Sequence, residues 1–198
     1  MFEDDIMLEK LLEKPSKKLI SVISVIAIVG FIILTIIFRF ISPNTNATTY
    51  GIIDFELAFT SEQIGIIFNV WNSNPLIFNE QTVGIFLDSF LYIPCYALSL
   101  LGVSIILSRS FKGKLQKIGL FFAILPIIAA LCDIIENMGL LNMLNNYNSY
   151  IAGTAIDVIP IITSICATIK FLLLFISILF VSVASIYWLI NRVRKKEN

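Results

Sequence analysis

Four apolar runs, at 19–41, 82–108, 118–141 and 162–189, limit what this chain can become. Each exceeds the roughly 20 residues a helix needs to cross about 30 Å of hydrocarbon. In lipid every backbone N–H and C=O must be satisfied within the protein, and uninterrupted runs of this length do that as helices. The expected fold class is an all-α membrane protein, a four-transmembrane-helix bundle. Composition points the same way: 58% of the 198 residues are hydrophobic and 14% charged, against about a quarter charged in a soluble domain.

The charges are balanced in number, 14 basic and 14 acidic, but not in place. Lys10, Lys14, Lys17 and Lys18 precede the first run. Arg109, Lys112, Lys114 and Lys117 join the second to the third, and Arg192, Arg194, Lys195 and Lys196 follow the fourth. Residues 42–81 and 142–157 hold no Lys or Arg, yet they hold Asp54, Glu56, Glu62, Glu80 and Asp157. Basic loops stay on the cytoplasmic side, so both termini are expected there. This divides the chain into a cytoplasmic tail at 1–18, amphipathic or disordered, an external segment at 42–81, a basic cytoplasmic loop at 109–117, an external loop at 142–161 and a basic tail at 190–198. The first run is too long for a signal-peptide core and no small-residue cleavage site follows, so it is expected to remain as an anchor.

The external segment 42–81 carries its own signals. Ile53, Phe55, Leu57 and Phe59 alternate with Asp54, Glu56 and Ala58, the period of a strand. Thr60 and Gln63 then make a capping box. Ile64, Ile67, Phe68 and Trp71 follow at helical spacing, which predicts an amphipathic helix of about 11 residues. A small strand–helix cap between the first two spans is the result. Pro94 predicts a kink in the second span, and Pro160 predicts a break ahead of the fourth.

The polar residues inside the spans narrow the function. Asp133, Glu136 and Asn137 share one face of the third span. Asp88, Tyr92, Cys95, Tyr96 and Ser99 form a stripe on the second. Thr163, Ala167, Lys170, Leu174, Ser177, Val181 and Ala184 make a mostly small face on the fourth, of the kind that packs against other helices. Arg39 ends the first. Counted by depth, Arg39, Asp88, Asp133, Glu136, Asn137 and Lys170 fall in the outer third of the bundle, with Tyr92 and Tyr96 near them. Ionisable groups in hydrocarbon cost several kcal/mol unless paired or hydrated, and they mark functional sites by default. One reading is an outward-facing pocket for a small ligand, lipid or ion. Another is a buried salt-bridge network that fixes helix register. A third gives Asp54, Glu56, Glu62 and Trp71 of the external cap to a protein partner or a second copy. The last is a lipid-modifying enzyme built on an Asp88 acid–base pair with Asp133 or Glu136.

Several classes have no support. The chain has no histidine, and it contains no P-loop, nucleophile-elbow, H-E-x-x-H or EF-hand pattern. No metal site, no cofactor and no catalytic residue is assigned. No basic stripe with interleaved aromatics invites nucleic acid. Cys95, Cys132 and Cys166 lie in apolar runs and suggest no disulfide framework.

Four spans with a Trp-bearing first external loop resemble the claudin-like tetraspan layout. The chain departs from it by lacking paired external cysteines and a second tryptophan near Trp71. The run Asp54-Phe55-Glu56-Leu57-Ala58-Phe59-Thr60 leading to Trp71, then Asp88 with Tyr92 and Pro94, then Asp133-Ile134-Ile135-Glu136-Asn137 and Lys170, is similar to small four-span membrane proteins of prokaryotes. That resemblance covers most of the chain. It implies a fold, a plasma-membrane setting and a site layout, and no activity.

Overall fold

A computed structural model describes residues 14–197, with side chains through residue 194. Of the tail expected at 1–18, residues 1–13 lie outside it. The described residues form helices joined by short turns, with no strand among them. Helix α1 is Lys17–Ile41, and three short helices follow: α2 Pro43–Asn46, α3 Ile52–Glu56 and α4 Ser61–Trp71. Helix α5, Leu76–Leu87, passes through a π-helical turn at Asp88–Tyr92 into α6, Ile93–Ser108. Helix α7 is Lys114–Asn145, α8 is Tyr147–Ile151 and α9 is Val158–Glu197.

Four of these stretches are long and apolar enough to cross a membrane: Lys17–Ile41, Leu76–Ser108, Lys114–Asn145 and Val158–Arg194. Their outer faces carry Ile26, Phe90, Met138 and Phe175, each about two-thirds exposed or more. Apolar surface of that extent is unstable against water and at rest against acyl chains. The protein is a multi-pass integral membrane protein.

The strand expected across 53–59 is instead the end of helix α3, Ile52–Glu56, followed by a turn. Asp54 Oδ2 accepts the Gly51 N–H at 2.8 Å, so the acidic residue three positions into α3 caps its start. Phe55 and Ala58 are buried, while Ile53, Leu57 and Phe59 stay exposed. Burial therefore recurs every third residue, not every second. A lone strand here would also leave its backbone groups without a neighbouring strand. Helix α4 does form where the capping box puts it. Thr60 Oγ1 accepts the Gln63 N–H at 3.2 Å, and Ile64, Ile67, Phe68 and Trp71 are all buried.

Pro160 does not break a longer helix. It sits in the first turn of α9, where its missing N–H has no intrahelical partner to lose. The Asp157 carbonyl accepts the Ile161 N–H at 2.9 Å and so begins the helix. The Asp157 carboxylate turns elsewhere: it accepts the Ser61 N–H at 2.6 Å and the Ser61 hydroxyl at 2.5 Å. Those two bonds hold its carboxyl below the usual range. A depressed folded pKa contributes stability above the unfolded value, about 3.9, and loses it as pH falls through the folded value. Asp157→Asn should lower the melting temperature near neutrality. The gap from wild type should close as the pH is taken below about 4; equal gaps at both ends would show that the carboxylate charge contributes nothing.

The chain divides into two compact units, each drawing on all four long helices. One holds Cys95–Ala129 and Leu172–Asn198 with the residues up to Val29. It is held by small residues at close approach. A Cβ on Gly102 would fall 1.9 Å from Ser24 Oγ, and one on Gly119 would fall 2.2 Å from Ser108 Oγ. Phe122 and Phe180 stack at 4.6 Å.

The other unit holds Gly30–Pro94 and Ala130–Phe171. Its core joins α4 to α8 and the first turns of α5. Phe55, Ile64, Phe68, Trp71, Ile77, Leu140 and Met143 are essentially inaccessible. Phe55 lies 5.3 Å from both Phe68 and Trp71, ring to ring. Trp71 Nε1 donates to the Tyr50 carbonyl at 3.0 Å, so the indole is buried with its polar atom satisfied. Glu80 on α5 accepts the Asn44 N–H at 3.2 Å and the Thr45 N–H at 3.0 Å. That ties the turn after α1 to the start of the second crossing.

Candidate functional site

Asp133, Glu136 and Asn137 on α7 are all but fully buried, as is Lys170 on α9. Lys170 Nζ donates to Asp133 Oδ1 at 2.9 Å and to Glu136 Oε1 at 2.8 Å. A third carboxylate joins them. Glu56, the last residue of α3, brings Oε1 to 3.7 Å from the same ammonium. Lys170 thus answers three acids.

That imbalance has a local consequence. Glu136 Oε2 is buried with no hydrogen-bond partner. Burial pushes the Glu56 carboxyl above its ordinary range, with the Lys170 charge pulling against it and Asp133 adding to it.

Asp88 belongs to the same neighbourhood by another route. Asn137 Nδ2 donates to Asp88 Oδ2 at 2.6 Å and to Ser89 Oγ at 3.0 Å. Asp88 opens the π-helical turn, in which the Ile93 N–H donates to the Asp88 carbonyl five residues back. Pro94 has no N–H to give, so the ladder is already broken there and a wider turn absorbs the defect. Such turns occur often at functional sites. Tyr92 ends the turn, with the Phe31 ring at 4.9 Å and the Phe38 ring at 5.3 Å.

A cavity of about 680 Å³ lies within this unit. Its polar wall includes Arg39, Glu56, Gln81, Asp88, Tyr92 and Asn137, and its apolar wall includes Phe38, Ile52, Ile85 and Leu140. Asp133, Glu136 and Lys170 are not on that wall.

The residues singled out from the sequence therefore separate. Arg39, Asp88, Tyr92 and Asn137 line the cavity. Asp133, Glu136 and Lys170 form the buried ion cluster beside it. Tyr96 is buried in the other unit and is not on the cavity wall. Of the surface offered to a protein partner, Trp71 is core and Glu56 faces Lys170. Asp54 and Glu62 remain exposed.

Glu56 and Gln81 were not read as cavity residues from the sequence. A signal for Glu56 was there: on a helix, Ile52, Phe55 and Glu56 share a face, so a buried Phe55 draws Glu56 inward. On a strand the two point to opposite sides. Gln81 lies in the helical turn before the apolar run and gives no comparable signal.

No family model matches this sequence, and no curated protein or solved structure resembles it at a significant level. Function therefore has to be argued from the site. Among the described residues no group of three His, Cys, Asp or Glu has the geometry to hold a metal ion. What the arrangement offers is charge of both signs, amide and hydroxyl groups, and aromatic faces around one cavity. That is the equipment of a binding site for a small polar molecule.

Proposed function

We propose that this protein binds a small ligand in the cavity lined by Arg39, Asp88 and Asn137, from the non-cytoplasmic side of the membrane. The observation that supports it is the cavity itself, about 680 Å³ with ionisable groups on its wall. The basic clusters at 109–117 and 190–198 favour a cytoplasmic setting for the opposite ends of the helices. That orients the site outward.

The ion cluster of Lys170, Asp133 and Glu136 has a different role in this proposal. It is buried, satisfied largely within itself and absent from the cavity wall. It fixes the register of α7 against α9, and through Asn137 it steadies Asp88.

Gly84 gives a direct test. It lies on the cavity wall, and the nearest atom to a Cβ placed there is Phe38 Cε1 at 4.0 Å. Gly84→Phe should fill the cavity, and Gly84→Ala should leave it open. Native mass spectrometry of the full chain released from detergent micelles is the readout. Wild type and Gly84→Ala should carry a bound non-protein mass that Gly84→Phe lacks, with all three eluting as the same folded species. A wild type that carries nothing, or a Gly84→Phe variant equally occupied, would overturn the proposal.

A further inference from the structure

We infer that the occupant of the cavity is a zwitterion, held with its ammonium at Asp88 and its anionic group at Arg39. This rests on the binding proposal above and goes beyond it by naming the ligand's chemistry. Two charges beside the cavity have no ionic partner among the described residues. Lys170, the cation nearest the carboxylates, is engaged by Asp133, Glu136 and Glu56. Asp88 takes an amide N–H from Asn137, but no Lys or Arg lies within ion-pair distance of it among the described residues. No carboxylate lies within that distance of Arg39 among the described residues either. Yet Asp88 and Arg39 line the same cavity. Two opposite charges on one partly apolar wall, held apart by the space between them, match a ligand that carries both.

The surroundings sort the two ends. The planar guanidinium of Arg39 suits a carboxylate or phosphate, which it grips with two parallel N–H bonds. Asp88 shares the cavity wall with Tyr92 and Phe38, and aromatic rings favour an ammonium over an anion. Asn137 and Gln81 share the wall; their amide nitrogens are engaged by Asp88, Ser89 and Thr45, which leaves their amide oxygens to accept. A ligand with charge of one sign leaves one protein charge unanswered, and the cost falls on Asp88, which is half-buried, more than on Arg39, which is exposed. Two sources share this chemistry: a free solute with an amine and an acid group, and the headgroup of an amine-bearing phospholipid.

The test uses the full chain in an uncharged detergent, with binding read by calorimetry. The free zwitterions are O-phosphoethanolamine and β-alanine, and the lipid is dihexanoyl phosphatidylethanolamine. Ethanolamine, inorganic phosphate and propionate each carry charge of one sign only. At least one zwitterion should bind about tenfold or more tighter than either of its single-charge halves. Arg39→Gln should erase that advantage while leaving ethanolamine binding unchanged. Asp88→Asn should erase it while leaving phosphate binding unchanged. Arg39 is exposed, so its variant decides the matter if Asp88→Asn fails to fold. A lipid tighter than O-phosphoethanolamine names the membrane as source, and the reverse order names a free solute. The inference is overturned if ethanolamine matches the zwitterions, if phosphate or propionate does, or if none binds. In the last case, a wild type that still carries the mass lost in Gly84→Phe leaves the cavity a binding site for something else; a wild type that carries none removes both proposals.

Discussion

Lys170→Met should be the most destabilising single change in the ion cluster. The methionine keeps the length of the side chain and removes the charge that Asp133 and Glu136 approach at 2.9 and 2.8 Å. Deleting one partner of a buried pair typically costs about 3–5 kcal/mol, because the other charge is left uncompensated. Here the charges left behind are those of three acids. The expected result is a loss of that order in a denaturant or SDS titration of the solubilised protein. The double variant Lys170→Met with Glu136→Gln should recover part of it, since the two changes share one interaction and will not add. Glu56→Gln should behave in the opposite way. Burial already raises the Glu56 carboxyl above its ordinary range, so its contribution is present below the unfolded pKa and is lost as pH rises through the folded one. Wild type should therefore lose ground to Glu56→Gln as pH increases. A Lys170→Met variant within about 1 kcal/mol of wild type would show that the carboxylates are protonated or hydrated enough to do without the lysine.

How far the sequence could foresee this site depends on which physical signal each residue left. Lys170 was legible because an ammonium in an apolar run has to face inward, and because Thr163, Ala167, Ser177 and Ala184 put small residues on its own face; all four are buried. Asp133, Glu136 and Asn137 were legible by spacing alone. Asp88 and Tyr92 share the cavity wall while Tyr96, drawn on the same stripe, is not on it; a stripe assumes one uniform helical period. The π turn at Asp88–Tyr92 breaks that period, and Pro94 marks where but not by how much. Glu56 was misplaced because seven alternating residues cannot separate a strand from a short helix until their neighbours are known. Burial of Phe55 beside Trp71 decides it. Separation of the ion cluster from the cavity was not legible at all. It depends on which side chains reach Lys170 first, a matter of distances within about 1 Å.

Gly139→Leu should cost nearly as much as loss of the lysine, by a purely steric route. A Cβ on Gly139 would fall 1.9 Å from Thr163 Oγ1 and 3.1 Å from Thr163 Cβ. Threonine is branched at Cβ and stiff, so it cannot swing clear as a long side chain would. The strain must be taken up by moving α7 away from α9. Overpacking of this kind costs about 1–3 kcal/mol. The same movement has a second effect. Glu136 lies about one turn before Gly139, and Lys170 about two turns after Thr163, so helices pushed apart at this contact pull the ammonium from its acids. Small residues at helix contacts in lipid permit the close approach that dispersion and hydrogen bonding then exploit. At this crossing the glycine also sets the length of an ion pair. Gly139→Ala should lower stability as well, and Thr163→Ala in the same chain should restore part of it by removing the oxygen at 1.9 Å. Gly84→Ala, with 4.0 Å of clearance, is the matched control and should be tolerated. If Gly139→Leu melts with wild type, the two helices are not in contact there, and the short Lys170 bonds have no scaffold to hold them.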